Sequence, residues 1–369
     1  MPSPAPPSDN PPVRILYGVV GEGMGHATRS GVVLSHLLDA GHEVRVVVSG
    51  RAHRYLAERF RGRPRFAVEE IHGLTFAYKG KGLDRGASLR ANLAGAPAGL
   101  RKNLDAYRKI AEDGFRPEAV ISDFESWSFL YGLFHGIPVV SIDNVQALAR
   151  CRHPREFARG RRRSLVLAKA AVRVKVPGAF HYLVTSFFFP PVSRPRTTLV
   201  PPILRPEVLA LRREPRDHVL VYQTSSANEA LVPVLRTLPH RFVLYGMGRA
   251  GTEGNVTLRA FSEPGFLEDL RTARAVLAGG GFSLMSEAVH LRVPFLSVPV
   301  ERQAEQEMNA FWLRRLGYGA SATGFDADSF ERFLGDVEVH ARALRSYEPR
   351  DNATTFARVD DLLRRIAAR

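Results

Sequence analysis

Short apolar runs alternate with longer amphipathic stretches along most of this chain. Residues 14–20, Arg-Ile-Leu-Tyr-Gly-Val-Val, read as a buried strand. A glycine-rich loop follows and turns into a helix whose apolar positions run through Leu37 and Leu38 and stop at Gly41. Residues 44–49 make the next strand. Strand, crossover helix and strand in so short a span form a βαβ unit with parallel strands. The pattern continues with a helix over 51–60, a strand near 66–71, and a helical stretch from about 88 to 113 that Pro97 is expected to interrupt. A strand at 119–122 ends at Asp123, a helix spans 127–135, and a strand at 137–142 ends at Asp143 and Asn144. Residues 182–185 are expected to be the last strand of this half.

Prolines at 190, 191, 195, 201, 202 and 206 then cluster in a rigid connection, as at a domain boundary. A second alternation follows: strands at 219–222, 241–245, 256–261, 275–278 and 294–298, with helices at 229–238, 265–272, from 283 onward and at 305–316. A final helix covers 354–368. Two successive βα arrays predict an α/β protein with two doubly wound, Rossmann-like domains. The expected division is a disordered tail at 1–12, a first domain at 13–205, a second at 206–345, and a C-terminal helix in 346–369 that returns to the first domain. Ligands of such sheets bind beyond the carboxyl ends of the strands, here expected between the two halves.

Composition narrows the class. At 369 residues, with 45% apolar and 24% charged residues, the chain has the makeup of a soluble globular protein with two cores. One cysteine, Cys151, excludes a disulfide framework and a Cys-based zinc site, and suits a reducing cytoplasm. The Pro/Ser-rich start has no basic region followed by an apolar one, so it does not read as a signal peptide. The most apolar window, 182–189, is short and stopped by Pro190, so no membrane span is expected.

Charge changes the picture more. Lys and Arg exceed Asp and Glu by 52 − 37 = 15, and the segment from Arg150 to Lys175 carries ten Lys and Arg against one acid, Glu156. Such a segment attracts phosphate groups, and its residues 161–173 have helix-forming composition. Docking on an anionic membrane surface is the expectation, with a phosphorylated soluble acceptor and a plain solvated face as alternatives. No aromatic residues interleave the basic run as stacking platforms, so nucleic acid is not expected as a partner.

Two glycine loops carry the candidate chemistry. Gly279-Gly-Gly281 follows an apolar strand and precedes a helix containing Ser286 and Glu287. Such a turn is either a tight connection or a phosphate cradle, where free N–H groups and the helix dipole converge. Gly21, Gly23 and Gly25 run as GxGxG, which departs from the dinucleotide fingerprint, and the next strand ends at Ser49-Gly50-Arg51 without a ribose-binding acid. His26, at the helix N-terminus after this loop, is placed to act as a general base, with Asp123 at a neighbouring strand end as its orienter. Asp326-Ala-Asp328 has metal–diphosphate spacing, but before Ser329-Phe-Glu-Arg it reads as a helix cap with first-turn acids. No metal site is legible.

Gly279-Gly-Gly-Phe-Ser-Leu-Met-Ser-Glu-Ala288, Val293-Pro-Phe-Leu-Ser-Val-Pro299, Glu305-Gln-Glu-Met-Asn-Ala310 and Gly317-Tyr-Gly319 resemble the donor-binding signature of GT-B nucleotide-sugar glycosyltransferases. The likeness is to the groups of lipid-linked GlcNAc transferases and UDP-glycosyltransferases. Gly21-Glu-Gly-Met-Gly-His-Ala-Thr-Arg29 resembles the N-terminal GxGxGHxxR loop of bacterial and archaeal members of the same superfamily, a loop also found in a UDP-sugar hydrolase. The resemblance implies a GT-B fold and metal-independent, inverting transfer from a nucleoside-diphosphate sugar, UDP-linked, to a hydroxyl of a small-molecule, lipid or envelope acceptor. It implies no cofactor beyond the co-substrate; the single cysteine and the basic segment add the expectation of a cytoplasmic protein that docks on the inner face of the membrane.

Carried over by position, the family's pattern puts Gly280, Gly281, Phe282 and Ser283 on the diphosphate, with Thr224 and Ser225 closing over it. Glu287 would take the ribose hydroxyls, Glu305, Gln306 and Asn309 the donor sugar and phosphate, and Phe261 and Ser262 the base edge through backbone groups. His26 and Asp123 would be the catalytic pair, with Gly23, Gly25, Arg29, Asp143 and Asn144 on the acceptor side. The donor signature lacks the aromatic that stacks on uracil in some relatives. A UDP-sugar hydrolase or epimerase on the same scaffold, and a non-catalytic nucleotide-sugar-binding protein, are the alternatives.

Overall fold

The computed structural model describes residues 12–21, 23–73, 77–79, 82–223 and 230–369, of which 77–79 and 82–95 are described as backbone. The chain divides into two compact units, residues 1–79, 83–205 and 351–369 in one and residues 80–82 and 206–350 in the other.

The first unit begins with β1 (Arg14–Val19), whose apolar run is buried almost throughout. Helix α1 (Met24–Asp39) crosses to β2 (Glu43–Val48), and α2 (Gly50–Arg59) leads to β3 (Phe66–Glu70). A separate two-stranded ladder, β4 (Ala77–Lys79) and β5 (Gly82–Asp84), precedes α3 (Arg85–Glu112). The expected interruption of this helix is corrected: α3 runs as one element with Pro97 inside it. Gly99 lies in the same stretch, and a Cβ there would meet the His72 ring at 2.4 Å, so the helix packs too closely for any larger residue. Then come β6 (Ala119–Asp123), α4 (Ser126–Phe134), β7 (Val139–Asp143), α5 (Ala147–Arg150), a 3₁₀ turn (Arg155–Ala158), α6 (Arg162–Lys175) and β8 (His181–Thr185). β8 is not the last strand, as the sequence suggested: β9 (Thr197–Val200) pairs with it and closes a seven-stranded sheet.

The strands of this sheet pair in parallel, in the order β3-β2-β1-β6-β7-β8-β9. The order reverses direction between β1 and β6, which opens a crevice at their carboxyl ends. Loops beyond those ends carry the residues of interest.

The second unit starts at α7 (Pro206–Leu209) and continues through β10 (Val219–Tyr222), α8 (Leu231–Arg236), β11 (Phe242–Tyr245), β12 (Gly251–Glu253) and β13 (Val256–Arg259). After α9 (Glu263–Thr272) come β14 (Ala275–Ala278), α10 (Phe282–His290), β15 (Phe295–Ser297), α11 (Ala304–Arg315), β16 (Gly319–Ser321), α12 (Ala327–Gly335) and α13 (Val337–Leu344). Its seven strands lie in the order β12-β13-β11-β10-β14-β15-β16, parallel except for β12 against β13. Here the reversal falls between β10 and β14. The chain then returns to the first unit as α14 (Ala353–Ala367), whose Val359, Leu362, Leu363 and Ile366 join the core beneath β1 and α1.

Candidate active site

In the first unit the loop after β1 and the end of β6 meet at the sheet reversal. Gly21 lets the loop lie on the end of β2, because a Cβ there would sit 2.0 Å from Ser49 Oγ. Gly23 caps α1 with a φ of 83°, a conformation that glycine adopts without strain. His26 is then the third residue of α1, and Arg29 and Ser30 follow on the same helical face at i+3 and i+4. All three converge on Asp123, the last residue of β6.

The Asp123 carboxylate is fully employed. His26 Nδ1 lies 2.9 Å from Oδ1, Arg29 Nε donates to Oδ2 at 3.0 Å, Ser30 Oγ donates to Oδ2 at 2.9 Å, and Arg29 Nη2 donates to Oδ1 in a short contact. Burial alone would raise the carboxyl pKa. The Arg29 guanidinium and His26 beside it reverse that and hold Asp123 well below the usual carboxylate range. Arg29 Nη2 also lies 2.7 Å from His26 Nδ1. The guanidinium can only donate towards Nδ1, but it already bonds both oxygens of Asp123, and an N–H on Nδ1 has an ionised oxygen to bond; that charge-assisted bond favours the tautomer that leaves Nε2 free to take a proton. The His26 side chain is 17% exposed while Asp123 is 1% exposed, so only the imidazole is within reach of a substrate.

Asp143, ending the adjacent strand β7, is also buried. Burial pushes its carboxyl up to about 6, with Asp123 adding to the effect and hydrogen bonds from Ser141 Oγ and the Gln146 N–H opposing it. Asn144, the next residue, donates to the Thr185 carbonyl at 3.0 Å. Buried polar atoms without a partner gather here: Asn144 Oδ1, Gln146 Nε2 and Thr185 Oγ1.

In the second unit β14 runs into Gly279-Gly280-Gly281, and α10 starts at Phe282. The N-cap of α10 is Gly281, which has no side chain to cap the helix. A Cβ on Gly280 would meet Gln306 Cβ at 2.6 Å. That contact explains the glycine: the turn is clamped against α11. Gln306 Oε1 accepts from the Gly280 and Val300 N–H groups at 3.0 and 2.9 Å, and Asn309 Nδ2 donates to the Gly280 carbonyl at 3.1 Å. Gln306 and Asn309 thus hold the turn itself. Gln223 Nε2, Ser286 Oγ, Ser297 Oγ and Asn309 Oδ1 are buried without a protein partner. Three of them neighbour the turn directly: Ser297 pairs in register with Ala278, Gln223 follows the residue paired with it, and Asn309 binds Gly280. Buried polar groups left unpaired around a glycine turn at a sheet reversal are what a polar ligand satisfies.

Residues 13–338 match the sequence profile described as Glycosyl transferase family 1. The chain belongs to that family. Among its relatives is an uncharacterised glycosyltransferase of Methanosarcina acetivorans, 26% identical over 343 residues, 83% of this chain and 85% of the relative. A second, from Methanosarcina mazei, is 26% identical over 342 residues with the same shares covered. Among solved structures, the kitacinnamycin glycotransferase superposes with a TM-score of 0.67 at 20% identity, covering 96% of this chain and 99% of that one. The calicheamicin glycosyltransferase gives 0.65 at 16% identity, with 97% and 99% covered. A UDP-glucosyltransferase from Polygonum tinctorium gives 0.64 at 15%, again with 97% and 99%. These likenesses establish the GT-B fold, and with the family they make the protein a glycosyltransferase, as the two glycine loops led us to expect.

The transferase brings His26, Arg29 and Asp123 together, and likewise Gly280, Gln306 and Asn309. Glu287 is buried in the second turn of α10, and Glu305 lies half-exposed in the first turn of α11. Phe261 is 64% exposed just beyond β13, and Ser262 caps α9 by accepting from the Gly265 N–H. Thr224 and Ser225 lie outside the described residues. Sequence reasoning missed Ser30 and the Arg29–Asp123 pair, although the spacing from His26 by three and four residues was a signal for both. Asp326 accepts from the Ser329 N–H at 2.8 Å and caps α12. Among the described residues no group of three His, Cys, Asp or Glu side chains gathers as a metal site, and no helix is long and apolar enough to cross a membrane.

Proposed function

We propose that the transferase moves a sugar from a UDP-sugar to an acceptor hydroxyl in a single inverting displacement that needs no metal ion. The observation that carries this reading is the buried His26–Asp123 pair at 2.9 Å, with only the imidazole exposed. His26 Nε2 takes the proton as the acceptor oxygen attacks the anomeric carbon, and Asp123 balances the imidazolium that results. The bond to the diphosphate breaks at the same time. Its negative charge falls on the nucleoside diphosphate, received at the α10 N-terminus by the turn at Gly281, Phe282 and Ser283, while the Gly280 N–H, bonded to Gln306, fixes the shape of that turn. Glu287 takes the ribose, Phe261 and Ser262 border the base, and Glu305 faces the sugar. UDP as the carrier is supported by the fold shared with a UDP-glucosyltransferase.

The test measures UDP release from a panel of UDP-sugars, with chelator present, and UDP binding by thermal shift. His26→Ala should lower turnover by about a hundred- to ten-thousand-fold while the thermal shift with UDP persists. An unchanged rate removes His26 as the base. Free sugar formed as fast without an acceptor as with one makes the enzyme a hydrolase instead.

The acceptor in this reading is a lipid or envelope precursor, and the enzyme works at an anionic membrane surface. Support comes from α6, which turns Leu165 and Val172 inward but leaves Val166, Leu167 and Val174 at least 63% exposed beside the exposed Arg162, Arg163 and Arg173. Exposed apolar side chains flanked by arginines suit insertion at a headgroup boundary. Leu167→Asp with Val174→Asp should abolish flotation with phosphatidylglycerol vesicles; equal flotation of this variant rejects membrane docking.

A further inference from the structure

Between the 3₁₀ turn and α6 the chain bends around a cleft of about 580 Å³ lined by Arg155, Glu156, Arg159, Gly160, Arg161 and Arg162. The bend is made by Gly160 at a φ of 75°, which lets both flanks line the same space. Four arginines therefore line one cleft with a single glutamate. Among the described residues no carboxylate pairs with Arg155, Arg159 or Arg162, and Glu156 bonds to none of them. Arg161 is anchored differently: its Nε donates to the Phe157 carbonyl at 3.1 Å and its guanidinium lies over the Phe157 ring at 5.0 Å.

Arg155, Arg159 and Arg162 gather like charge that repels, and here the helix adds to the imbalance. α6 has no capping side chain and no acid in its first turn, and it opens with Arg162 and Arg163 at the positive end of its dipole. That is the reverse of what stabilises a helix start. A multiply charged anion in the cleft would answer the guanidinium groups and the dipole together. A lone carboxylate brings one charge to Arg155, Arg159 and Arg162, whereas a phosphate brings about two charges and three strong acceptor oxygens that planar guanidinium groups match.

We propose that this cleft binds a phosphate group, a phosphomonoester or diphosphate carried either by a lipid headgroup or by a soluble acceptor. The site lies in the first unit and depends on no residue of the proposed donor site.

Hydrogen–deuterium exchange read by mass spectrometry tests it, with three probes. They are inorganic pyrophosphate, phosphatidylcholine vesicles containing phosphatidic acid, and phosphatidylcholine vesicles containing phosphatidylglycerol at the same fraction. With pyrophosphate at ten times its Kd, exchange of peptides spanning 155–166 should slow about tenfold, because opening must first release the ligand. R159Q/R162Q, at two exposed positions, should lose this protection with an unchanged melting temperature. Protection by pyrophosphate with none from vesicles assigns the phosphate to a soluble acceptor. Protection by phosphatidic acid vesicles beyond that from phosphatidylglycerol assigns it to a headgroup monoester, and both results uphold the site. No slowing with any probe, or equal slowing by potassium chloride at matched ionic strength, overturns it. Protection confined to 279–287 also overturns it, yet leaves the donor reading intact.

Discussion

Asp123 and Asp143 end neighbouring strands, are equally buried, and titrate in opposite directions. The difference is Arg29. It binds Asp123 through two nitrogens, so ionisation there is favoured despite burial, while Asp143 keeps only neutral donors. Their contributions to stability follow with opposite signs. Asp123, depressed, stabilises the fold above the ordinary carboxylate pKa and loses that contribution as acid is added. Asp143, raised to about 6 from 3.8, holds a proton in the folded state that the unfolded chain has lost. Its contribution is full at low pH and is lost as pH rises through about 6, a cost of roughly 2–3 kcal/mol at neutrality. Asp143→Asn should therefore gain clearly more stability in urea denaturation near pH 7 than near pH 4.5, where only about 1 kcal/mol of the cost has appeared. An equal change at both pH values would show that ionisation of Asp143 is not what matters. At this scale the sequence disclosed His26 and Asp123 as partners, because Asp123 ends a strand and His26 opens the helix after a neighbouring strand's glycine loop. It did not disclose that Arg29 shares the carboxylate, since that depends on which face of α1 meets β6.

The glycine turn and α11 work as one element. Gly280 has no room for a Cβ, and Gln306 spends one carbonyl on two backbone N–H groups from different loops. Gln306→Ala leaves both N–H groups without that acceptor, at about 1–3 kcal/mol each. The expected result is a stability loss of that order in denaturant and weaker UDP binding, because the turn no longer holds its shape. A variant with reduced stability and unaltered UDP affinity would separate the turn from the donor site. The strands that carry these turns were legible as apolar runs bounded by glycine and proline. The edge strands β9, β12 and β16 were not: each is three or four residues long with a partly exposed, small or polar composition. α3 escaped for the opposite reason, since local rules end a helix at Pro97 and tertiary packing continues it.

At the scale of the molecule, two βα arrays in series dictated two doubly wound units, and the strand orders place each candidate site at its own sheet's reversal. Periodicity cannot convey which surface a helix distant in sequence will cover, and α14 shows why that matters. Its apolar stripe of Val359, Leu362, Leu363 and Ile366 enters the first unit's core. Polar contacts fix the position: His36 Nε2 lies 2.8 Å from Asp360 Oδ1, the His36 ring stacks on Phe356 at 4.1 Å, and Asn352 bonds both the N–H and the carbonyl of Leu204. Burying four such side chains is worth several kcal/mol, each contributing about 1.5–3. A whole domain is stable by only about 5–15 kcal/mol. A chain ending at residue 350 should therefore lose the first unit's calorimetric transition while keeping the second's, which UDP identifies by shifting it upward. UDP binding should survive and transfer should not. If instead the truncated chain melts in one transition at the full-length temperature, α14 is dispensable and the first unit's core closes without it.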